Sequence, residues 1–360
     1  MFFLRSICTV LTNMYIAGGL NARKPRLFKR IIKGFINARW RGRISLRFMD
    51  VALSYSCNFS CLHCSAEALK KKGAQPLTLP EYERVARDAM SAGVIVFHFT
   101  GGEPVMHPRL FEIISAFCPR ENIISIQTNG WLIDDTFIAR YIDAGGDILC
   151  VSLDSVTPQA HDAFRQQPGS WHKAVGAIRL AKSRGLRVLI SYTLTHSNIR
   201  SEDFTNMIGL SKELCAVLSL NLAVPAGKWK GNRDLLISAD DRLFLNALLA
   251  RHTHVRTDFE SNWHVRGCPA FKEKCYLSPY GDVLPCPFIH ISFGNIRAAS
   301  LPDIRAVAMR HPYFQKYHPV CIAAEDTYFI EHAGCYGTDI ARLPLDYKDS
   351  GLINPGASFE

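Results

Sequence analysis

Ser56-Cys57-Asn58-Phe59-Ser60-Cys61-Leu62-His63-Cys64 follows an apolar run that begins at Val51, and Thr100-Gly101-Gly102-Glu103-Pro104 closes the next such run. Three cysteines at spacings of four and three in one loop can turn their thiolates toward one point. Thiolates are soft ligands for iron–sulfur clusters, and three of them leave one iron of a four-iron cube without a protein ligand. An iron open in this way is a site for chemistry. A structural zinc ion with His63 as fourth donor is the alternative, but His63 adjoins Cys64, and adjacent residues rarely share one tetrahedral ion. Gly101 and Gly102, lacking Cβ, let the backbone approach a ligand closely; an ordinary strand-to-helix turn is the plainer account.

Outward from these two strand ends, short β-like runs alternate with longer helix-like stretches. Strands are expected at 51–56, 94–100, 123–128, 148–153, 187–194 and 218–224. Helices are expected at 80–92, 108–117, 134–143, 171–184, 201–214 and 239–251. Six successive βα units predict a parallel sheet with right-handed crossovers and helices outside, a partial (β/α)6 barrel of α/β class. Active sites of such folds gather where the strands end. Gln127-Thr128-Asn129-Gly130 ends the third run, Ser152-Leu153-Asp154-Ser155 the fourth, Thr193 and Thr195 the fifth, and Pro225 and Gly227 follow the sixth. Ser152 and Asp154, alternate residues of a strand, are expected to face one side. Turn chemistry competes as an explanation, most plainly at Asn129-Gly130.

Cys57-x-x-x-Cys61-x-His63-Cys64 after a first strand, joined to Gly101-Gly102-Glu103-Pro104 at the end of the second, resembles the radical S-adenosylmethionine (radical SAM) superfamily over about residues 50–225. The resemblance implies an enzyme whose [4Fe–4S] cluster is held by Cys57, Cys61 and Cys64. The open iron would be chelated by the methionine part of S-adenosylmethionine. Gly101, Gly102 and Glu103 match the residues that receive its amino group, and His63 the aromatic position near adenine. Asn129, Ser152, Asp154 and Thr193 become candidate contacts to ribose or carboxylate. The implied reaction is reductive cleavage to a 5′-deoxyadenosyl radical that abstracts hydrogen from an unactivated carbon, fed by a low-potential electron donor of flavodoxin or ferredoxin type. The stretch before Cys57 is too short for a cobalamin-binding domain.

Beyond the last barrel helix, Cys268-Pro269-Ala270-Phe271-Lys272-Glu273-Lys274-Cys275 leads into Tyr280-Gly281-Asp282-Val283-Leu284-Pro285-Cys286-Pro287, with Gly281 placed for a tight turn. Twelve residues separate Cys268 from Gly281 and four separate Gly281 from Cys286. This resembles the opening of the SPASM extension of radical SAM enzymes, as does Phe293-Gly294-Asn295-Ile296-Arg297. The cysteine-rich block of four that continues the full extension is missing, and only Cys321 and Cys335 follow. The resemblance therefore implies one auxiliary [4Fe–4S] cluster, as in shortened, Twitch-like versions. Its expected ligands are Cys268, Cys275, Cys286 and Cys321, with Cys335 a replacement for Cys275 or Cys321. A zinc ribbon-like site is the alternative. Isolated Cys8, Cys118, Cys150 and Cys215 read as small hydrophobes, and His254, His264, His290 and His311 as hydrogen-bonded or surface histidines.

The 360 residues carry a net charge of +10 and are 48% hydrophobic, which excludes disorder. Eleven bases fall between Met1 and Asp50 against the single acid Asp50, so this segment accounts for the whole excess and the body is balanced. Nucleic acid is accordingly not an expected partner. Leu27, Ile31, Ile32, Phe35 and Ile36 recur at helical spacing among the bases, a pattern suited to an anionic membrane surface or to packing against the barrel or another subunit. No run reaches the length of a spanning helix. The first twenty residues have a signal peptide as an alternative, but clustered cysteines favour a reducing cytoplasm. Four segments are expected: a basic arm 1–48, a barrel 49–252, an auxiliary-cluster domain 253–346 and a tail 347–360.

Function follows from the cofactors. A peptide or small-metabolite substrate is expected to lose hydrogen to the radical, with the auxiliary cluster accepting an electron, conducting one, or binding substrate through an open iron. The basic arm adds a lipid-linked or membrane-borne substrate. A different class, a non-catalytic iron–sulfur carrier or electron-transfer protein, would use the same cysteines without cleaving S-adenosylmethionine.

Overall fold

A computed structural model describes residues 24–262, 266–337 and 342–352. Residues 1–23, His264 and the end of the expected tail lie outside them. The strands are β1 (Phe48–Ser54), β2 (Val96–Gly101), β3 (Ile123–Thr128), β4 (Ile148–Ser152), β5 (Arg187–Leu194), β6 (Val217–Leu222), β7 (Val255–Arg256), β8 (Lys274–Leu277) and β9 (Val283–Leu284). They form one nine-stranded sheet in the order β7-β6-β5-β4-β3-β2-β1-β8-β9. Every neighbouring pair is parallel except β8 and β9.

Each βα unit behaves as its sequence dictates. In β5, residues Val188, Ile190, Tyr192 and Leu194 are buried under the helices, while Leu189, Ser191 and Thr193 face the concave side. This is the period-two pattern of a strand with two different faces. The helices are α1 (Pro25–Trp40), α2 (Leu79–Ser91), α3 (Leu110–Ala116), α4 (Asp135–Asp143), α5 (Pro158–Arg165), α6 (Ser170–Ser183), α7 (Glu202–Glu213) and α8 (Ala239–Arg251). Thr78 with Glu81 and Ser238 with Asp241 form capping boxes, and Asp134 and Ser201 accept from backbone N–H groups.

Two features depart from the expectation. Helix α5, with Pro158 in its first turn, was not anticipated between the fourth strand and the helix at 171–184. The barrel sheet also continues into the C-terminal segment, because β8 pairs with β1 in register from Phe48↔Lys274 to Val51↔Leu277. One apolar core extends from Leu46 to Leu352 across the division drawn at 252/253.

Candidate active site

The cysteine loop leaves β1 and is gripped from three sides by backbone. The amides of Gly102 and Glu103 donate to Ser54 O at 2.7 Å and Ser56 O at 2.9 Å. Leu62 N donates to Phe164 O at 3.1 Å, and Lys228 N to Cys64 O at 3.1 Å. A Cβ on Gly102 would stand 2.0 Å from Ser56 O, and one on Gly227 2.2 Å from Cys64 O. These glycines are thus required by the approach of one backbone to another. Burial pushes the Cys57 thiol up to about 11 and raises that of Cys64. Ligation must therefore displace protons.

Glu103 is 2% exposed. Its Oε1 accepts from Thr128 Oγ1 at 2.9 Å and Val105 N at 3.1 Å, and its Oε2 from Asn129 N at 2.8 Å. Burial lifts its carboxyl to about 7, against those three bonds. Asn129 also reaches the cysteine loop, donating from Nδ2 to Asn58 Oδ1 at 2.8 Å. His63 stacks on Phe164 with centroids 4.5 Å apart and lies 5.6 Å from the Trp229 ring. Burial holds its imidazole neutral, down to about 3, and its Nδ1 has no hydrogen-bond partner.

Arg165, at the end of α5, is the residue that sequence reasoning missed. Its Nε donates to Asp154 Oδ2 at 2.7 Å, and its Nη1 stands 3.8 Å from Cys61 Sγ. Burial works against its charge, but Asp154 and Cys61 outweigh it and raise its pKa. Asp154 corrects the expectation for the fourth strand. The strand ends at Ser152, so alternation does not carry on to Asp154, and its other oxygen accepts from Thr193 N at 2.9 Å. It lies behind Arg165 and does not line the cavity, whereas Arg165 does. The usable signal was an arginine closing a Pro-initiated helix just after a barrel strand end.

Cys57, Cys61, His63, Cys64, Gly101, Gly102, Glu103, Asn129, Ser152 and Thr193 all line one cavity of about 390 Å³ on the concave side of the sheet. Its deeper wall is polar and internally bonded. His98 Nδ1 meets Ser125 Oγ at 2.9 Å, Gln127 Nε2 donates to Ser152 Oγ at 2.9 Å, and Asn221 Nδ2 to Ser191 Oγ at 2.7 Å. Lys274 reaches in from β8, with Nζ 2.7 Å from Asp258 Oδ2 and 3.2 Å from Asp50 Oδ2.

A second, smaller cavity adjoins the first. Cys268, Cys286 and Cys321 line it. The charged forms of Cys268, Cys286 and Cys321 repel one another, Cys335 feels Cys286, and the Tyr336 phenol feels all four thiols. Cys275 is apart from this group. Neighbours on β8 face opposite ways, so Lys274 enters the cavities while Cys275 is fully buried on the other face, and the groups that act on its thiol are Asp50, Arg305 and Lys274. The expected ligand Cys275 is thereby separated from Cys268, Cys286 and Cys321, whereas Cys335 lies beside Cys286. Among the described residues no three Cys, His, Asp or Glu side chains gather as around a single ion. Thiolates on different irons of a cube stand farther apart than four donors on one zinc. Three soft donors on an open loop, with a partnerless imidazole nitrogen beside them, fit a cluster and a bound cofactor.

The radical SAM superfamily model matches residues 51–208, and that of the SPASM iron–sulfur cluster-binding domain residues 268–327. The chain belongs to the radical SAM superfamily. It is 26% identical over 308 residues to the AdoMet-dependent heme synthase of Nitratidesulfovibrio vulgaris, covering 74% of this chain and 83% of that one. It is also 26% identical to the PqqA peptide cyclase of Granulibacter bethesdensis, over 74% of each chain. The structure of Streptococcus suis SuiB bound to its precursor peptide SuiA shares the fold, with a TM-score of 0.58 and 16% identity over 77% of this chain and 67% of that one. This radical SAM protein is an enzyme, which sets aside the carrier class, and its cofactors are a [4Fe–4S] cluster, S-adenosylmethionine and auxiliary iron–sulfur. No helix among the described residues is long and apolar enough to cross a membrane.

Proposed function

We propose that this enzyme abstracts hydrogen from a peptide held in the large cavity, and that Cys268, Cys286, Cys321 and Cys335 would hold a single auxiliary cluster able to accept the electron left on the substrate. One observation carries this. Asn221, Leu222, Asp258, Pro269, Lys274, Pro287 and Phe288 line both cavities, so a substrate at the cysteine loop has the auxiliary thiols behind a shared wall. When bound, the cofactors supply a 5′-deoxyadenosyl radical at the cysteine loop and a one-electron acceptor at the second site.

The chain's own residues do the rest. Cys57, Cys61 and Cys64 hold the first cluster. Glu103, oriented by three donors, offers a carboxylate to the amino group of S-adenosylmethionine. Arg165, fixed by Asp154 beside Cys61, offers a cation to its carboxylate. His63, stacked on Phe164, presents an uncharged ring with a free Nδ1 for adenine. The polar wall of His98, Ser125, Gln127, Ser191 and Asn221 suits backbone amides and polar side chains of a peptide better than an apolar ring system. Relatives named as a peptide cyclase and a peptide-bound structure support the same class. A carboxylate-bearing tetrapyrrole is the second reading, favoured by Arg256 and Lys274 in the cavity and by the relative named a heme synthase. The low-potential donor is expected to be of flavodoxin or ferredoxin type.

The test uses anaerobically purified, reconstituted protein. Iron and sulfide per chain and 5′-deoxyadenosine release are measured for wild type and for Cys57→Ala/Cys61→Ala/Cys64→Ala. About eight irons falling to about four, with cleavage abolished, is the expected result. Full iron loading without cleavage in the wild type would overturn it. Deuterium transfer into 5′-deoxyadenosine from labelled peptide, and not from labelled tetrapyrrole, separates the two substrate readings.

A further inference from the structure

Helix α1 has two apolar faces, and the sheet uses only one. Leu27 and Ile31, 0% and 2% exposed, pack on Ile95, Val96, Ile123 and Ile148 at the amino ends of β2, β3 and β4. Polar contacts fix the helix there. Lys24 Nζ donates to Asn122 O and Gly145 O, each at 3.0 Å, and pairs with Asp147. Arg30 Nη2 donates to Val94 O at 2.6 Å. Docking against the barrel, one of the two expectations for this segment, is therefore realised by part of its apolar set.

The remainder runs along the opposite side. Phe28, Ile32, Ile36 and Trp40 follow one another at intervals of four, which places them on a single ridge about 18 Å long at 1.5 Å per residue. Phe28 and Ile32 are each 41% exposed and Trp40 71%. Three of the nine large apolar side chains exposed among the described residues thus sit on this one helix. Lys29 and Lys33 form the adjoining exposed ridge, and exposed Arg41 and Arg43 continue beyond Trp40. No acid precedes Asp50 in the chain, and Glu121, which faces this helix, is paired with Arg26 at 2.8 Å.

We infer that this face is a docking surface for an anionic lipid bilayer. An apolar ridge flanked by lysines, with a tryptophan and arginines at its end, matches the acyl boundary and the charged headgroups together. A neutral protein surface would leave the adjoining bases without that complement over the same length. Because α1 covers the amino ends of parallel strands and the cysteine loop leaves their carboxyl ends, the bound enzyme turns its cofactor site away from the bilayer. The surface anchors the enzyme; a lipid-embedded substrate would meet the wrong end of the barrel.

The test is sedimentation of the full chain with vesicles of phosphatidylcholine, with and without phosphatidylserine, together with Trp40 fluorescence taken as wild type minus Trp40→Phe. Binding is expected only to the anionic vesicles, weakened by salt, with a blue-shifted Trp40 signal. Each of Lys29→Gln and Lys33→Gln should lower the partition coefficient about fivefold, and Phe28→Ser/Ile32→Ser/Trp40→Ser should abolish binding while thermal melting is preserved. No binding to anionic vesicles, or undiminished binding by the triple variant, overturns the proposal. So does a concentration-dependent dimer that the triple variant dissolves, since a second copy would then own the face.

Discussion

Exchanging single cysteines of the C-terminal segment separates the proposed ligand set, which includes Cys335, from the one with Cys275 that the resemblance implied. Cys275→Ala removes one buried sulfur from the face of β8 turned away from the other thiols. Loss of one well-packed heavy atom and the small void it leaves costs about 1 kcal/mol. Iron should remain at about eight per chain and the auxiliary cluster's spectrum unchanged. Cys335→Ala removes a similar volume from a residue only 2% exposed, so its packing penalty is comparable. It also removes a ligand, and iron should fall toward about four per chain or the site convert to a three-iron form. The assay is iron and sulfide analysis of each single variant, with electron paramagnetic resonance of dithionite-reduced protein repeated in the Cys57→Ala/Cys61→Ala/Cys64→Ala background so that only auxiliary signals appear. A normal signal in Cys335→Ala together with its loss in Cys275→Ala would refute the reasoning and restore the set with Cys275 that the resemblance implied.

Three further outcomes are expected. Glu103 ionises near 7 in the folded protein against an ordinary value of 4.5, so its contribution to stability falls as pH rises from about 4.5 to 7. The same ionisation makes its carboxylate available, and S-adenosylmethionine affinity by equilibrium dialysis should drop up to tenfold per pH unit below 7 and lose that dependence in Glu103→Gln. Arg165→Met strands the buried Asp154 and should cost about 3–5 kcal/mol in chemical denaturation; adding Asp154→Leu should recover most of that stability but not cofactor affinity, whereas recovery of both would assign the pair a purely structural role. Gly102→Ala forces a methyl against Ser56 O, which its Cβ would meet at 2.0 Å, so the cysteine loop must shift and iron at the first site should fall while the auxiliary signal persists.

The sequence alone determined the parallel βα order and the first metal site, because both are written locally. A period-two run such as Arg187–Leu194 shows its strand in its own residues, and Cys57, Cys61 and Cys64 are within one loop. Glu103 was legible for the same reason, standing directly after a glycine pair at a strand end. What tertiary structure decided were partnerships between distant segments. Arg165 reaches Cys61 across 104 positions, and nothing around either residue announces the other. Cys275 and Cys335 look interchangeable in the chain, and only the pairing of β8 with β1, which turns Lys274 inward and Cys275 away, tells them apart. Helix α1 shows the same limit. Its spacing announced an amphipathic helix, but which apolar residues it buries depended on the strand ends beneath it, since burial is a property of the surface a side chain meets and not of the side chain alone.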